Sequence, residues 1–406
     1  MIPPTRGGRI EHIPREGEFR VGVKRDSDLK MAIFKKNVHL AAVFLFLLLQ
    51  IFACSSMPDV TVEALPQYDV LFSNEDGWTG GDGVYSVALN AHTIAWFFGD
   101  TWIGQIKNGR HVNATLVNNS VAIQHGRSPA EAEMDFHFGR AADGSPAALM
   151  RPADGRGWFW VFDGVMTAKG LTLFLIQVER TPGNAVFGFK VIGAWLGQVE
   201  NPKEPPSQWR VRQFKIPWAE FSASRGMLWG SAVIQVKNFL YIYGTIEDRQ
   251  NAVPRKHMIL ARVPISMLAD FSRWRFYADG NWVSDFSRVS RLSENVPHEY
   301  SVSYLPALKQ FAVVYSQDGL SKNILARLSP DPQGPWSDPI KLYQCPEADW
   351  NDSIFCYAAK AHAILSGVPD ALVITYIANS VDFNKTANDA RLYRPRFLRV
   401  TFKPIK

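Results

Sequence analysis

The sequence predicts an all-β protein, specifically a five-bladed β-propeller preceded by a cleaved lipoprotein signal segment. Three observations support this prediction: short strands broken by turn residues, five recurrences of one strand pair, and an apolar N-terminal run that ends at a cysteine. The 406-residue chain is 47% hydrophobic and 13% aromatic, a composition typical of a protein with a sizeable packed core. Disordered, collagen-like and coiled-coil proteins are excluded by this composition.

The strand pair is the repeating unit of the predicted propeller. Each copy has a strand of small and β-branched residues, a polar turn and a strand rich in aromatic residues. The copies begin 81, 68, 68 and 61 residues apart, measured between the anchor residues Asp82, Asp163, Ser231, Glu299 and Lys360. A spacing of about 70 residues suits a four-stranded blade with long loops. A two-sheet sandwich with accidental repeats is the alternative.

Closure of the ring gives a further expectation about strand pairing. Radial blades protect their edges only when the first and last segments of the chain meet. We therefore expect an N-terminal strand near residues 60–71 to pair beside a C-terminal strand at residues 397–402.

The segment before the repeats has the pattern of a secretory signal. Lys35 and Lys36 precede an apolar run over residues 40–49, which is too short to span a membrane comfortably as a helix. The Ala53–Cys54 pair that follows resembles the bacterial lipobox, in which the cysteine is acylated and becomes the new N-terminus. We expect lipidation at Cys54 and a place in the bacterial cell envelope, outside the cytoplasm. A plain N-terminal membrane anchor is the alternative.

The position of this signal divides the chain into three expected segments. Met31 begins a more ordinary signal peptide than Met1 does, so residues 1–30 are expected to be an extension upstream of a mis-set start. Residues 31–54 would be the signal peptide and residues 55–406 the propeller domain. Cys345 and Cys356 would then lie in an oxidising compartment, where a disulfide between them is expected and two free thiols are the alternative.

The distribution of charge argues against a nucleic-acid partner. Residues 1–54 carry nine Lys or Arg residues and five acidic ones, and so hold +4 of the net charge of +6. The remaining chain is nearly neutral, which does not favour a broad phosphate-binding surface. We expect a monomer that has a polysaccharide or oligosaccharide substrate, contacts the membrane through its lipid anchor, and needs no cofactor or metal.

Three of the five anchor residues are acidic, and a propeller would gather them at one mouth of its channel. Carboxylates of Asp82, Asp163 and Glu299 around one axis would repel one another and raise the pKa of at least one. Asp100 joins them because its strand is predicted to be the hairpin partner of the strand that follows Asp82. Aspartate before glycine is also a common turn former, which leaves a structural role open for Asp82 and Asp163.

Carboxylates beside aromatic rings indicate cleavage of a glycosidic bond. One carboxyl group, held protonated, donates to the leaving oxygen, and another activates water or attacks the anomeric carbon. We expect Asp82 to be the base or nucleophile, Asp100 or Glu299 the acid, and Asp163 a residue that tunes the charge. The predicted substrate contacts are Trp78, Tyr85, Trp102, Asn119, Tyr300, His362 and Arg394. For Asn119, His362 and Arg394 a purely structural role is the alternative.

The first repeat resembles domain-of-unknown-function family 4185. The residues that carry the resemblance are GWTGGDGVYS at 77–86 and WFFGDT at 96–101, with weaker similarity at 241–244, 298–301 and 393–396. Members of that family are five-bladed propellers, and some are D-arabinan-degrading enzymes of glycoside hydrolase family 183. The resemblance implies a catalytic aspartate pair at Asp82 and Asp100. More distant five-bladed glycosidases, with an acid on each of three blades, would map loosely onto Asp82, Asp163 and Glu299.

The sequence therefore predicts a lipid-anchored glycoside hydrolase that acts on a polysaccharide, with an arabinan-like furanoside link implied by the resemblance. A non-catalytic glycan-binding or surface lipoprotein that uses the same channel mouth is the first alternative. A structural envelope protein without a ligand is the second, and in it Arg or Lys side chains would pair with all four acids.

Overall fold

The computed structural model describes residues 58–182, 188–250 and 255–403. The expected signal segment and the lipidation site at Cys54 lie outside the described residues. Within the described part of the chain, no helix is long and apolar enough to cross a membrane.

Strands dominate the described residues, and all paired strands are antiparallel. The strands are β1 Asp59–Ala64, β2 Asp76–Gly81, β3 Tyr85–Ala88, β4 Thr93–Phe98, β5 Thr101–Lys107, β6 Arg110–Val117, β7 Ser120–His125, β8 Glu133–His137, β9 Gly139–Arg140, β10 Pro146–Ala147, β11 Trp158–Thr167, β12 Gly170–Arg180, β13 Phe189–Val199, β14 Val211–Lys215, β15 Glu220–Phe221, β16 Arg225–Val236, β17 Phe239–Asp248, β18 Arg255–Pro264, β19 Arg275–Ala278, β20 Asn281–Val283, β21 Ser293–Glu294, β22 Tyr300–Leu305, β23 Gln310–Ser316, β24 Asn323–Ser329, β25 Ile340–Gln344, β26 Ile354–Ala361, β27 Ala371–Ser380 and β28 Pro395–Lys403. The two short α-helices are α1 Pro66–Asp69 and α2 Phe383–Asn388. Single 3₁₀ turns occur at Val70–Phe72, Pro206–Gln208, Ile265–Met267, Phe271–Arg273, Phe286–Arg288, Pro346–Asp349 and Ala363–Leu365.

Five sheets with four or more strands carry the five sequence repeats. The first sheet is β3-β4-β7-β8, the second β11-β12-β13-β14, the fourth β22-β23-β24-β25 and the fifth β26-β27-β28-β1. The third runs from β15 through β16 to β20, with β21 added beside β18. A three-stranded sheet, β2-β5-β6, and the β9-β10 pair complete the pairing.

The middle strands are apolar on both faces because neighbouring sheets cover both faces. In β12, for example, every side chain from Leu171 to Val178 is buried. Such continuous apolar runs are typical of strands packed on both sides, whereas alternation marks strands with one solvated face.

One strand of each sheet, the one that contains or follows the anchor residue of its repeat, contacts the corresponding strand of the next sheet. We call these five strands, β3, β11, β16, β22 and β26, the first strands. Contacts join β3 to β11, β11 to β16, β16 to β22 and β22 to β26. Between the first and fifth sheets, Ser86 Oγ of β3 lies 2.7 Å from His362 Nδ1, directly after β26. The five anchor residues lie on or beside these first strands, which brings them towards one another.

The N-terminal strand closes the fifth sheet. Strand β1 pairs with β28 over six residue pairs, from Asp59 opposite Lys403 to Ala64 opposite Leu398. The expected pairing of the two ends of the repeat region is therefore confirmed. A disulfide joins Cys345, just after β25, to Cys356 in β26, and so links the fourth and fifth sheets.

Irregularities in three of the first strands determine where the anchor side chains point. The pairing register shifts between Val161 and Gly164 in β11, between Trp229 and Ala232 in β16, and between Tyr357 and Lys360 in β26. Asp163 and Ser231 lie inside these bulges, and Lys360 directly follows the third. A bulge bends its strand and redirects a side chain, a device common beside functional sites.

Candidate active site

A cavity of about 490 Å³ is lined by residues that lie on or beside all five sheets. Asp82, Asp100 and Glu299 line it, with Asp318 as a fourth, exposed acid. Asp163 is not among the lining residues. The structure thus brings three of the four predicted catalytic carboxyl groups to one space.

Asp82 and Asp100 are neighbours across the junction between β2 and β5. Gly81 pairs with Thr101, and the next residue pair is joined by a hydrogen bond of 3.2 Å from the Asp82 amide to the Asp100 carbonyl. The expected proximity of the two aspartates follows from this pairing. Gly99 makes room for them, because a Cβ at that position would lie 2.6 Å from Asp82 Oδ1.

Two tyrosine hydroxyl groups hold the carboxyl group of Asp82. Tyr357 donates a hydrogen bond of 2.6 Å to Oδ2, and Tyr393 donates one of 2.9 Å to the same oxygen. Burial, followed by the negative charges of Asp100 and Glu299, raises the pKa of Asp82 to about 8, and the two tyrosine hydrogen bonds oppose this rise. Asp82 therefore keeps its proton to a higher pH than an exposed aspartate does.

The carboxyl group of Asp100 accepts hydrogen bonds from one donor on the second sheet and from one donor directly after β6. Trp160 Nε1 donates to Asp100 Oδ1 at 2.9 Å, and Asn118 Nδ2 donates to the same oxygen at 3.2 Å. Burial raises the pKa of Asp100 from its usual range, and these hydrogen bonds and the charge of Arg180 counteract the increase. Both hydrogen bonds end on Oδ1, so among the described residues they leave Oδ2 uncommitted.

Glu299 forms an ion pair with a buried lysine. Lys360 Nζ lies 2.9 Å from Glu299 Oε1, and only 1% of the lysine side chain is exposed. The ammonium group also donates to the carbonyl oxygen of Ala358 at 3.0 Å and lies 4.5 Å from the centre of the Tyr85 ring. Burial lowers the pKa of Lys360, and the charges of Glu299, Asp82 and Asp163 oppose that effect. Lys360 thus pairs directly with one of the four acids, not with all of them.

The side chain of Asp163 links strands β11 and β16 through hydrogen bonds. Its Oδ1 accepts a hydrogen bond of 2.8 Å from the Gly164 amide, and its Oδ2 accepts one of 2.7 Å from the Val233 amide in β16. Burial raises the pKa of Asp163 to about 7, against these two hydrogen bonds and the charge of Lys360. Asp163 does not line the cavity, and its predicted role of tuning the charge stays a prediction.

Of the predicted substrate contacts, Trp102 lines the cavity. Its ring stacks on His111 with a centroid distance of 5.0 Å and lies 5.5 Å from the ring of Phe383, which also lines the cavity.

The other predicted aromatic contacts are core residues, and the sequence expectation for them is corrected. Trp78 is 1% exposed, packs against Phe136 and donates its Nε1 to Ser120. Tyr300 is completely buried, with its hydroxyl bonded to the Gly244 carbonyl at 2.8 Å. Tyr85 is 3% exposed beneath Lys360 and does not line the cavity. Aromatic residues beside the acids in sequence were expected at the mouth, but strand alternation turns them towards the sheet interfaces.

The three predicted polar contacts, Asn119, His362 and Arg394, have the purely structural role that the sequence left open as the alternative. Asn119 is completely buried and bonds to the backbone of Met150 and Phe159. His362 is 2% exposed between Ser86 and Thr375, and burial lowers its pKa to about 3. Arg394 donates to the carbonyl oxygens of Asn74 and Thr79. None of the three is a lining residue, because each of them satisfies backbone or strand-end polar groups instead.

The sequence reasoning missed the residues that hold the aspartate pair: Tyr357, Tyr393, Trp160 and Asn118. Tyr357 and Tyr393 lie 275 and 311 residues beyond Asp82 in sequence. Tyr357 lies three residues before the anchor Lys360, and Tyr393 begins the 393–396 segment of weaker family similarity, so both lay within segments already marked. Nothing in either segment indicated that a tyrosine hydroxyl would reach Asp82.

One further cluster of metal-ligating side chains occurs among the described residues, away from this cavity. It consists of Cys345, Glu347 and Cys356. The two sulfur atoms are joined in the disulfide and offer no thiolate, so the cluster does not suit a metal ion.

Similar folds are found among solved structures. A Bacteroides ovatus protein described as a candidate hydrolase superposes with a TM-score of 0.65 at 20% identity, covering 84% of this chain and 90% of that chain. This similarity shows a common fold. Looser superpositions are found with a thermostable family-43 glycoside hydrolase (TM-score 0.44, 12% identity, 82% and 93% covered) and with an α-L-arabinofuranosidase from Podospora anserina (0.42, 11%, 80% and 92%). Superpositions this loose carry no argument about activity.

Comparison by sequence gives a family but no activity. No curated protein matches the chain. The sequence profile of a domain of unknown function, DUF5005, matches residues 66–402, which is nearly the whole described region. This match does not confirm the resemblance to family 4185 and glycoside hydrolase family 183. The chain belongs to the DUF5005 family.

Proposed function

We propose that this protein is a glycoside hydrolase that cleaves a furanoside link, with Asp82 and Asp100 as its catalytic pair. One observation carries the proposal: two neighbouring carboxyl groups face one cavity, and the pKa of Asp82 is raised to about 8. Hydrolysis of a glycosidic bond needs a carboxylic acid that is still protonated at neutral pH beside a second carboxyl group.

Asp82 is assigned as the general acid, which exchanges the roles expected from the sequence. Burial and the neighbouring charges keep its proton in place, so it can protonate the leaving oxygen. Asp100 is assigned as the base or nucleophile. Burial raises its pKa, but the hydrogen bonds from Trp160 and Asn118 oppose this rise and would stabilise its carboxylate during the reaction. Glu299 is engaged in the ion pair with Lys360, and its negative charge raises the pKa of Asp82 and so helps to hold the proton there.

Aromatic side chains around the pair support a sugar as the ligand. Trp102, Trp160, Phe355 and Tyr357 all line the cavity beside the carboxyl groups. Aromatic faces pack on the C–H faces of sugar rings, while nearby polar groups such as Asn379 and Ser380 can bond to hydroxyl groups.

The finer architecture and location belong to the same proposal. The five sheets would be the blades of a propeller and the cavity the mouth of its channel, a reading supported by the contacts between successive first strands. Residues 31–54 would direct the protein out of the cytoplasm, and Cys54 would anchor it to a membrane.

A substrate panel tests the activity. The purified full-length protein is incubated with arabinans, galactans and fructans and with simple furanosides and pyranosides, and the release of reducing sugar is measured. We expect hydrolysis of at least one furanoside. If no member of the panel is hydrolysed although glycan binding is detected, the protein is a glycan-binding protein and the proposal is wrong.

A further inference from the structure

The cavity has a side whose chemistry the catalytic pair does not explain. Many of the groups around Asp82 and Asp100 come from the fifth sheet and from segments beside the first and fourth sheets, and they include hydroxyl, amide and carboxyl groups. Apart from Trp160 and Lys256, the second and third sheets supply side chains without any hydrogen-bonding atom. We call five of these the apolar wall: Phe162, Ile176, Phe189, Val191 and Leu228.

The apolar wall begins at the catalytic pair. The indole of Trp160 donates to Asp100 Oδ1 at 2.9 Å, and the edge of the same ring meets the ring of Phe189 at a centroid distance of 4.7 Å. Trp160 lies directly opposite Ile176 in the β11–β12 ladder, so their side chains project from one face of the second sheet. Phe189 and Val191, two residues apart on β13, share a face in the same way.

Two exposed apolar residues continue this surface at the opening of the cavity. Leu320 and Phe383 both line the cavity, although 48% and 47% of their surface is accessible. Lys256 is the cation among the lining residues from the third sheet, and it is paired with Glu247 at 3.3 Å.

Sugar hydroxyl groups are poorly suited to this wall. Aromatic rings can stack on a sugar, but the half-buried Val191 is aliphatic and offers neither a ring face nor a hydrogen bond. Ile176 and Leu228 are also aliphatic, and only 1% and 3% of their surface is exposed. A hydroxyl group buried against them would lose its bonds to water without replacement, which is unfavourable. The group that fills this side of the cavity should therefore be apolar.

We propose that the natural substrate is a glycoside whose aglycone is an apolar alkyl or aryl group, and that this aglycone lies on the apolar wall. The inference rests on the proposed function. In the reaction, the glycosidic C–O bond breaks, the leaving oxygen takes the proton of Asp82, and water supplies the hydroxyl group of the released sugar. The remaining proton of the water passes to the carboxyl pair and restores the protonated form of Asp82. The products are the free sugar and the apolar alcohol or phenol.

Matched alkyl glycosides test the inference, because methyl and n-hexyl alcohols are leaving groups of similar basicity. We measure kcat/KM for the methyl and n-hexyl glycosides of one furanose, below the concentration at which the hexyl compound forms micelles. The apolar wall should favour the hexyl glycoside by about tenfold or more. Equal kcat/KM values would overturn the inference and leave the proposed function intact.

Variants locate the preference on the wall. Val191→Thr keeps the β-branched shape but adds a hydroxyl group, and Leu320→Asn changes an exposed residue whose replacement does not threaten folding. Both should reduce the preference for the hexyl glycoside by about threefold or more. Val211→Thr, the same change on β14 of the same sheet but away from the cavity, should leave it unchanged. Preferences unaltered in both wall variants would also contradict the inference.

Measuring the affinities of the two glycosides distinguishes a failure of this inference from a failure of the proposed function. If neither glycoside nor any member of the substrate panel is hydrolysed, the proposed function is wrong, and isothermal calorimetry then measures the affinities of the two glycosides for the wild-type protein. Tighter binding of the hexyl glycoside, weakened by Val191→Thr, would still support an apolar ligand on the wall. Equal affinities would rule it out.

Discussion

The hydroxyl group of Tyr357 donates a hydrogen bond of 2.6 Å to Asp82 Oδ2, joining the fifth sequence repeat to the first. The bond favours the ionised form of a carboxyl group that its surroundings otherwise keep protonated. Tyr357 therefore limits how far the pKa of Asp82 rises, and the pH dependence of activity should depend on this one hydroxyl group.

The first prediction concerns the alkaline limb of the pH profile. Because Asp82 must hold its proton and its pKa is about 8, kcat/KM of the wild type should fall as the pH rises through about 8. Tyr357→Phe removes a hydrogen bond that lowers this pKa, so the fall should move to higher pH. The control is Tyr304→Phe, which changes a tyrosine that is 46% exposed and does not line the cavity. A limb that stays in place or moves to lower pH in Tyr357→Phe would show that this bond does not act on the acid.

The second prediction concerns stability as a function of pH. The folded-state pKa of Asp82 lies above its unfolded value, so the stability that its proton contributes is full below about pH 4 and is lost as the pH rises through about 8. Asp82→Asn cannot ionise and should lose less stability over that range. Urea unfolding of both proteins at pH 5 and pH 8 gives the comparison. Parallel losses in the two proteins would mean that Asp82 is not protonated in the folded state.

The third prediction concerns the buried ion pair. Lys360→Met leaves Glu299 without its partner and should destabilise the protein by about 3–5 kcal/mol in urea unfolding. The double variant Lys360→Met/Glu299→Gln should recover part of that loss, because no uncompensated charge remains. Lys322→Met breaks the exposed pair with Asp349 and should cost less than about 1 kcal/mol. Equal costs for the two lysine variants would contradict the structural role given to Lys360.

The fourth prediction concerns the space reserved for Asp82 by Gly99. A Cβ at position 99 would meet Asp82 Oδ1 at 2.6 Å, so Gly99→Ala should displace the carboxyl group and reduce kcat/KM by about tenfold or more. Gly226→Ala controls for the general effect of the substitution, because the nearest atoms to a Cβ there are the ends of the flexible side chains of Arg249 and Glu247, and Gly226 does not line the cavity. Full activity in Gly99→Ala would show that the position of Asp82 tolerates this shift.

The sequence predicted those features that depend on local patterning. The five strand pairs and the proximity of Asp82 to Asp100 follow from strand alternation and hairpin geometry, which are short-range properties. The pairing of β1 with β28 joins opposite ends of the repeat region and was expected instead from closure of the ring. The anchor residues lie on or beside the first strands, as the strand pairs predicted.

Features that depend on which way a side chain turns could not be predicted. Trp78 and Trp102 flank the same aspartate pair in sequence, yet one is in the core and the other lines the cavity. A single bulge reverses the face of every later side chain in a strand, and a sequence pattern does not reveal a bulge. The two tyrosines that donate hydrogen bonds to Asp82 lie 275 and 311 residues away from it in sequence. They were missed because contacts between such distant residues leave no local signal in the sequence.

The most direct test of the account is the kcat/KM of Asp82→Asn on the substrate that the panel identifies. If Asp82 is the proton donor, the variant should lose activity by about 100-fold or more while its affinity for the substrate stays close to that of the wild type. Asp318→Asn makes the same change at an exposed acid that lines the same cavity, and it should retain most of the activity. Undiminished activity in Asp82→Asn would contradict the assignment of catalysis to this residue.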